Sequence, residues 1–344
     1  MKKKKTVLTA VLALLAVLAI WIAISLITSS GFPNLLIRNA TAFDRNIPDP
    51  GFTGKSYEKV PYSDASPTDY LDLYVPDSSE PMPLLICVHG GGFVYNDSQS
   101  RQAVLLYQYF RANGYAVATI NYRLADEARF PLPLSDVKAA VRFLRANASQ
   151  YGYDPDKFAI WGESAGGYLA SMAALTEDGE YEDVKFIGED ALDGHVSGKV
   201  SALVDFYGIL DFDKADSDFG EVGVPLWLPK LVGGGGNDEE SSVVTQFLGR
   251  RISTLTRTEL SEISPSCRAS KLAPGSLKIY IEHGSVDITV AKPQSYRLRD
   301  SAKAALGDND VTFKEMKNLK HADDRFYTPE NLAPIKSFLD SVWG

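Results

Sequence analysis

The run Phe158-Ala159-Ile160-Trp161-Gly162-Glu163-Ser164-Ala165-Gly166-Gly167 reads as a strand that turns abruptly into a helix. Phe158 to Trp161 are apolar without alternation, as in a strand covered on both faces. Tyr168 to Leu175 continue as an apolar helical stretch. Glycines stand two residues to either side of Ser164, where a sharp turn crowds the backbone. A serine at the apex of such a turn is lifted above the end of a sheet, at the start of the helix. An ordinary Gly/Ser turn would need neither the strand before it nor the helix after it.

The same alternation extends in both directions. Strand-like runs are Leu71–Val75, Leu84–Val88, Ala116–Tyr122, Val200–Phe206, Lys278–Glu282 and Val311–Met316. Helical patterns fill Gln102–Ala112, Asp136–Ala148, Ser164–Leu175, Pro293–Leu306 and Asn331–Val342. In the second of these, Val137, Ala140, Val141, Leu144 and Ala148 fall on one face, with Ser135 or Asp136 as the expected cap. Strands alternating with helices predict an α/β fold around a mostly parallel sheet. Residues 213–262 interrupt the rhythm with a glycine run (Gly233–Gly236), a solvated acidic cluster (Asp238–Glu240) and a polar helical stretch. They are expected to form a cap or lid insertion, with Leu226-Trp227-Leu228-Pro229 in the cap core or lining an acyl pocket. No internal repeat is present.

His89-Gly90-Gly91-Gly92-Phe93 follows the strand Leu84–Val88. Three successive glycines let the backbone approach a substrate oxygen. The N–H groups of Gly91 and Gly92, with that of Ala165, are the expected oxyanion donors. A serine hydroxyl needs a base near neutral pH. Of the four histidines, His89 belongs to the glycine loop and His195 lies in a polar surface stretch. His283 and His321 remain, and the chain order serine, aspartate, histidine favours His321. Asp287, just beyond the strand ending at Glu282, is the expected acid. Asp323 and Asp324 are rivals, but they stand too close along the chain to reach the far ring nitrogen of His321 easily.

These residues resemble the α/β-hydrolases of the esterase/lipase type. The resemblance is nearest to bacterial esterases related to bifunctional acetylxylan and feruloyl esterases, bordering the hormone-sensitive-lipase group. It is carried by Val88–Phe93, Asn121-Tyr122-Arg123-Leu124, Trp161–Gly167, Val204-Asp205-Phe206-Tyr207-Gly208, Ser264-Pro265 and His283–Val290. It covers the chain from about Tyr57 onward. It implies an eight-stranded, mostly parallel sheet, a Ser164–Asp287–His321 triad, and oxyanion donors at Gly91, Gly92 and Ala165. The implied activity is hydrolysis of short-chain or carbohydrate-linked acyl esters, without cofactor or metal. Ala291 departs from the proline usual after the acid loop, and Ala322-Asp323-Asp324 is more acidic than usual after the histidine. Two other readings are a peptidase on the same fold, marked by activity on aminoacyl-nitroanilides but not esters, and a non-catalytic binding protein, marked by absent turnover.

The chain has 344 residues, 45% hydrophobic and 23% charged, enough for one large domain and far from disordered composition. Its net charge of −9 argues against a nucleic-acid partner. Two cysteines, Cys87 and Cys267, cannot build a disulfide framework or a cysteine-based zinc site; Cys87 reads as a small buried hydrophobe. Lys2 to Lys5 precede an uncharged apolar run from Thr6 to Ile27. As a helix that run spans about 33 Å, against about 30 Å of bilayer hydrocarbon. Residues 1–30 are therefore expected to be a membrane anchor or a cleaved signal peptide, and 31–56 a linker. The catalytic domain, 57–344, would then lie outside the cytoplasm, anchored or secreted.

Overall fold

Along the strand Met82–Val88, Leu84, Ile86 and Val88 enter one hydrophobic cluster, whereas Leu85 and Cys87 enter another. Successive side chains of a strand point to opposite faces, so both faces of this strand are covered. A computed structural model describes Ile47, Asp49 and residues 51–344. The strands are β1 (Gly54–Pro61), β2 (Tyr70–Pro76), β3 (Met82–Val88), β4 (Ala116–Ile120), β5 (Tyr153–Glu163), β6 (Ala202–Phe206), β7 (Lys278–Gly284) and β8 (Val311–Met316). They form one eight-stranded sheet in the order β1-β2-β4-β3-β5-β6-β7-β8. β2 runs antiparallel to β1 and β4; the remaining pairs are parallel. This is the mostly parallel α/β-hydrolase sheet expected from the sequence.

Five longer helices cover it: α1 (Arg101–Arg111), α2 (Leu132–Ala146), α3 (Ala165–Leu175), α4 (Pro293–Leu306) and α5 (Pro329–Trp343). α2, α3 and α4 pack on the face holding Leu84, Ile86 and Ile160. α1 and α5 pack on the face holding Leu85, Cys87 and Trp161. Cys87 is buried and Cys267 exposed, and both are free thiols.

Two local expectations need correction. α2 begins at Leu132, ahead of the expected cap, because Pro133 fits a first helical turn where no amide donor is needed. Ser135 instead accepts a hydrogen bond from the amide of Val184 (2.8 Å). Asp136 turns to Arg123, accepting from its backbone amide (3.0 Å), from Nε (2.9 Å) and from Nη2 (2.6 Å). The second correction is β1, which sequence periodicity passed over. Lys55, Glu58 and Lys59 leave it mostly exposed at the sheet edge, with no apolar run to mark it. It begins at Gly54, inside the stretch read as linker.

The Asp136 side chain is fully buried and that of Arg123 is 11% exposed. Removing one partner strands the other charge away from water. Arg123→Ala is therefore expected to cost about 3–5 kcal/mol. A urea midpoint unchanged from that of the parent would refute this.

The anchor or signal expected at residues 1–30 lies outside the described residues. Among the described residues, no helix is long and apolar enough to cross a membrane.

Candidate active site

β5, β3 and α3 meet at a turn whose two flanking glycines leave no room for a side chain. A Cβ on Gly162 would stand 2.1 Å from the Gly166 carbonyl oxygen, and one on Gly166 would stand 2.2 Å from that of Val88. Between them Ser164 adopts φ +52° and ψ −120°, which side-chain-bearing residues rarely do. Its amide donates to the Phe206 carbonyl at 2.9 Å, tying the turn to the end of β6. Ala165 opens α3, so its amide precedes any intrahelical acceptor.

The glycine loop folds back beside this turn. Gly91 and Gly92 have φ of +120° and +58°. The amides of Val94 and Tyr95 both donate to the Gly91 carbonyl, at 3.1 and 3.2 Å. Among the described residues, the amides of Gly91 and Gly92 take no backbone acceptor. His89 is buried, its Nδ1 2.7 Å from the Gly90 carbonyl and its ring stacked on Tyr122 at 4.4 Å. Burial lowers its pKa to about 4. The Tyr122 hydroxyl donates to the His89 carbonyl at 2.9 Å, so His89 and Tyr122 brace the loop from below.

His321 lies beyond β8 and Asp287 beyond β7. Nε2 of His321 stands 2.9 Å from Ser164 Oγ, and its Nδ1 stands 2.7 Å from Asp287 Oδ2. The second oxygen of Asp287 accepts from the amides of Thr289 (2.8 Å) and Val290 (2.9 Å). Burial alone would raise the pKa of this carboxyl. The neighbouring His321, together with hydrogen bonding from both imidazoles, reverses that and holds it well below the usual range. The structure thus brings Ser164, Asp287 and His321 together, with Gly91 and Gly92 on the adjoining loop.

The rivals fall elsewhere. His283 is fully buried, with Nδ1 on Ser295 Oγ (2.7 Å) and Nε2 on the Val290 carbonyl (3.0 Å), and it has no hydrogen bond to Ser164. Asp323 binds the Arg325 guanidinium at 2.8 Å, which draws its pKa down to about 2. Asp324 pairs with Arg101 at 3.2 Å. His195 is half-exposed, beside Asp178 and Glu182.

One group had no counterpart in the sequence reading. Glu163, buried next to the serine, accepts from the Tyr207 hydroxyl at 3.2 Å and from the Tyr327 hydroxyl. Burial raises its pKa despite these bonds. The Tyr207 ring sets its edge against the His321 imidazole, with centroids 4.7 Å apart. The Gly90 amide also approaches the Glu163 carboxyl, at 3.5 Å. Glu163 and Tyr207 lay inside quoted motifs, but nothing in the sequence paired them with Tyr327.

Residues 213–262 form short helices, among them Ser217–Glu221, Trp227–Lys230, Val243–Leu248 and Arg257–Glu262. Phe247 stacks on Phe93 of the glycine loop at 3.9 Å, and the Val243 side chain borders Gly92. Trp227 is 63% exposed, which overturns its placement in a cap core; Pro229 of the same stretch is buried.

Comparison with known proteins agrees with this architecture. Residues 71–301 match the family model described as BD-FAE. Esterase LipC of Mycobacterium tuberculosis is 30% identical over 260 residues, covering 72% of this chain and 56% of LipC. The chain thus spans little more than half the length of such curated relatives. Among solved structures, a truncated carbohydrate esterase from gut microbiota superposes with a TM-score of 0.67 at 23% identity, covering 86% of this chain and 98% of that one. An acetyl ester-xyloside bifunctional hydrolase from Caldicellulosiruptor lactoaceticus superposes with a TM-score of 0.61 at 19% identity, with the same coverages. These two likenesses are of fold.

Proposed function

Because the chain belongs to the BD-FAE family, we propose that it is a carboxylic ester hydrolase working through Ser164. Ser164 Oγ attacks the ester carbonyl while His321 Nε2 takes its proton. His321 then passes that proton to the departing alcohol oxygen as the tetrahedral intermediate collapses to an acyl-enzyme. Water, deprotonated by the same imidazole, releases the carboxylic acid. Asp287 keeps the hydrogen on Nδ1, so that Nε2 faces the serine as an acceptor, and it stabilises the imidazolium. The amides of Gly91, Gly92 and Ala165 receive the developing oxyanion. No step calls for a metal or a redox cofactor.

The observation that carries this reading is the bridging position of His321, 2.9 Å from Ser164 Oγ and 2.7 Å from Asp287 Oδ2. The proposed substrates are short-chain acyl esters, including acyl groups on carbohydrate. Support for carbohydrate comes from the carbohydrate esterase and the acetyl ester-xyloside hydrolase of like fold. The proposed location is the outer face of a membrane, or the medium after cleavage, on the strength of the lysine-capped apolar run at Thr6–Ile27.

A p-nitrophenyl ester series from acetate to palmitate, run beside acetylated xylan and aminoacyl-nitroanilides, tests the chemistry. Turnover concentrated on the short esters, with acetate released from xylan, is the expected result. Hydrolysis of the anilides alone, or no labelling by a fluorophosphonate, would overturn it. Carbonate extraction of membranes tests the anchor.

A further inference from the structure

We propose that His283 is a positioning residue for the reaction, acting through Asp287; the proposal rests on the hydrolytic reading above. His283 is buried in β7, one residue before its end, and touches no reacting atom. Its ring is held at both nitrogens. Nδ1 lies 2.7 Å from Ser295 Oγ on α4, and Nε2 lies 3.0 Å from the Val290 carbonyl. A carbonyl only accepts, so Nε2 carries the hydrogen. That same nitrogen stands 3.4 Å from Asp287 Oδ2, the oxygen that receives His321.

Val290 is therefore gripped from two sides. Its carbonyl accepts from His283, while its amide donates to Asp287 Oδ1 at 2.9 Å. The four-residue loop from Asp287 to Val290 is thus fixed to the sheet and to α4 by one imidazole. The buried carboxylate has protein donors around both oxygens, which leaves it one productive orientation toward His321. The chain of contacts runs Ser295, His283, Asp287 with Val290, His321, Ser164. Misplacing a reacting group by about 1 Å costs on the order of 10²-fold in rate, so slack in this loop would reach the serine.

The charged groups facing His283 are Asp287 on its own loop, Asp205 on β6 and Glu315 on β8. Glu315 is also paired with Lys292, at 3.0 Å. Asp205 is fully buried, with neither carboxylate oxygen in a side-chain hydrogen bond, and burial raises its pKa to about 7. Among the groups facing His283 it is therefore the one most able to confuse a pH profile, while Glu163, its pKa also raised by burial, faces His321 from the serine turn.

The test compares His283→Leu, His283→Gln and Ser295→Ala with the parent on p-nitrophenyl acetate, across pH. In His283→Leu, kcat is expected to fall by roughly 10²-fold at unchanged KM. The acid limb of its kcat/KM profile should move to higher pH, because an Asp287 with one donor fewer holds a proton on His321 more tightly. His283→Gln, whose amide can donate to Val290, should recover most of kcat. Ser295→Ala should fall between the two. The limb should also move in an Asp205→Asn background.

A His283→Leu protein with the parent's kcat would overturn the proposal. Equal losses in the Leu and Gln variants with an unmoved limb would assign His283 to core filling alone and overturn it too. A limb that moves only when Asp205 is present would credit Asp205 instead. Should the leucine variant not fold, Ser295→Ala decides: lower kcat at parental KM supports the proposal, and parental kcat ends it. Failure of the hydrolytic reading looks different, since Ser164→Ala would then keep its turnover.

Discussion

Ser164→Ala loses ester turnover by on the order of 10⁶-fold in kcat, while its melting temperature stays near that of the parent. The size follows from what is removed. The hydroxyl is the side-chain nucleophile that, among the described residues, hydrogen-bonds His321 Nε2, and without it no acyl-enzyme can form. What survives is the modest contribution of backbone donors and substrate binding. Stability should change little. The strained backbone at residue 164 is imposed by the contacts of Gly162 and Gly166, which the substitution leaves in place. Steady-state rates on p-nitrophenyl acetate and stoichiometric fluorophosphonate labelling measure the effect. Residual turnover within a hundredfold of the parent would reject Ser164 as the nucleophile.

Asp287→Asn is expected to lower kcat by about 10⁴-fold, with KM nearly constant. An amide in place of the carboxylate donates toward Nδ1, drives the hydrogen to Nε2 and turns the base into a donor facing Ser164. A second signature is in stability. The folded-state pKa of Asp287 lies below its unfolded value. Its ionised form therefore stabilises the fold fully above the unfolded value of about 3.9. That stabilisation is lost as pH falls through the folded value. Between those limits the parent loses stability with each step in acid, and the asparagine variant lacks this component. Melting curves from pH 6 downward should show a shallower acid decline for Asp287→Asn. Identical slopes, or a kcat within tenfold of the parent, would remove Asp287 from the proposed role.

Much of the fold was readable because periodicity reports which faces are covered. β3 and the Phe158–Trp161 part of β5 are apolar without alternation, since helices lie on both sides of them, and α4 matched its pattern from Pro293 to Leu306. β1 was not readable, because an exposed edge strand buries too little to leave an apolar signature. The start of α2 was misplaced for a different reason. Asp136 looks like a cap, yet Arg123, distant in space until the chain folds, outbids the helix terminus for its carboxylate. Trp227 was misread because apolar character alone does not say whether a residue is covered.

The amino-acid pattern was enough for the α/β class and for the strand, turn and helix around Ser164. It also supplied the short list of imidazoles and carboxylates from which a triad could be drawn. It took the folded chain to show that His321 reaches the serine while His283 is locked behind Asp287, and that Glu163 meets Tyr207 and Tyr327. The reason is one of scale. Local propensity and apolar period choose elements and faces over many residues. A hydrogen bond, in contrast, is settled within a few tenths of an ångström between groups that only packing brings together.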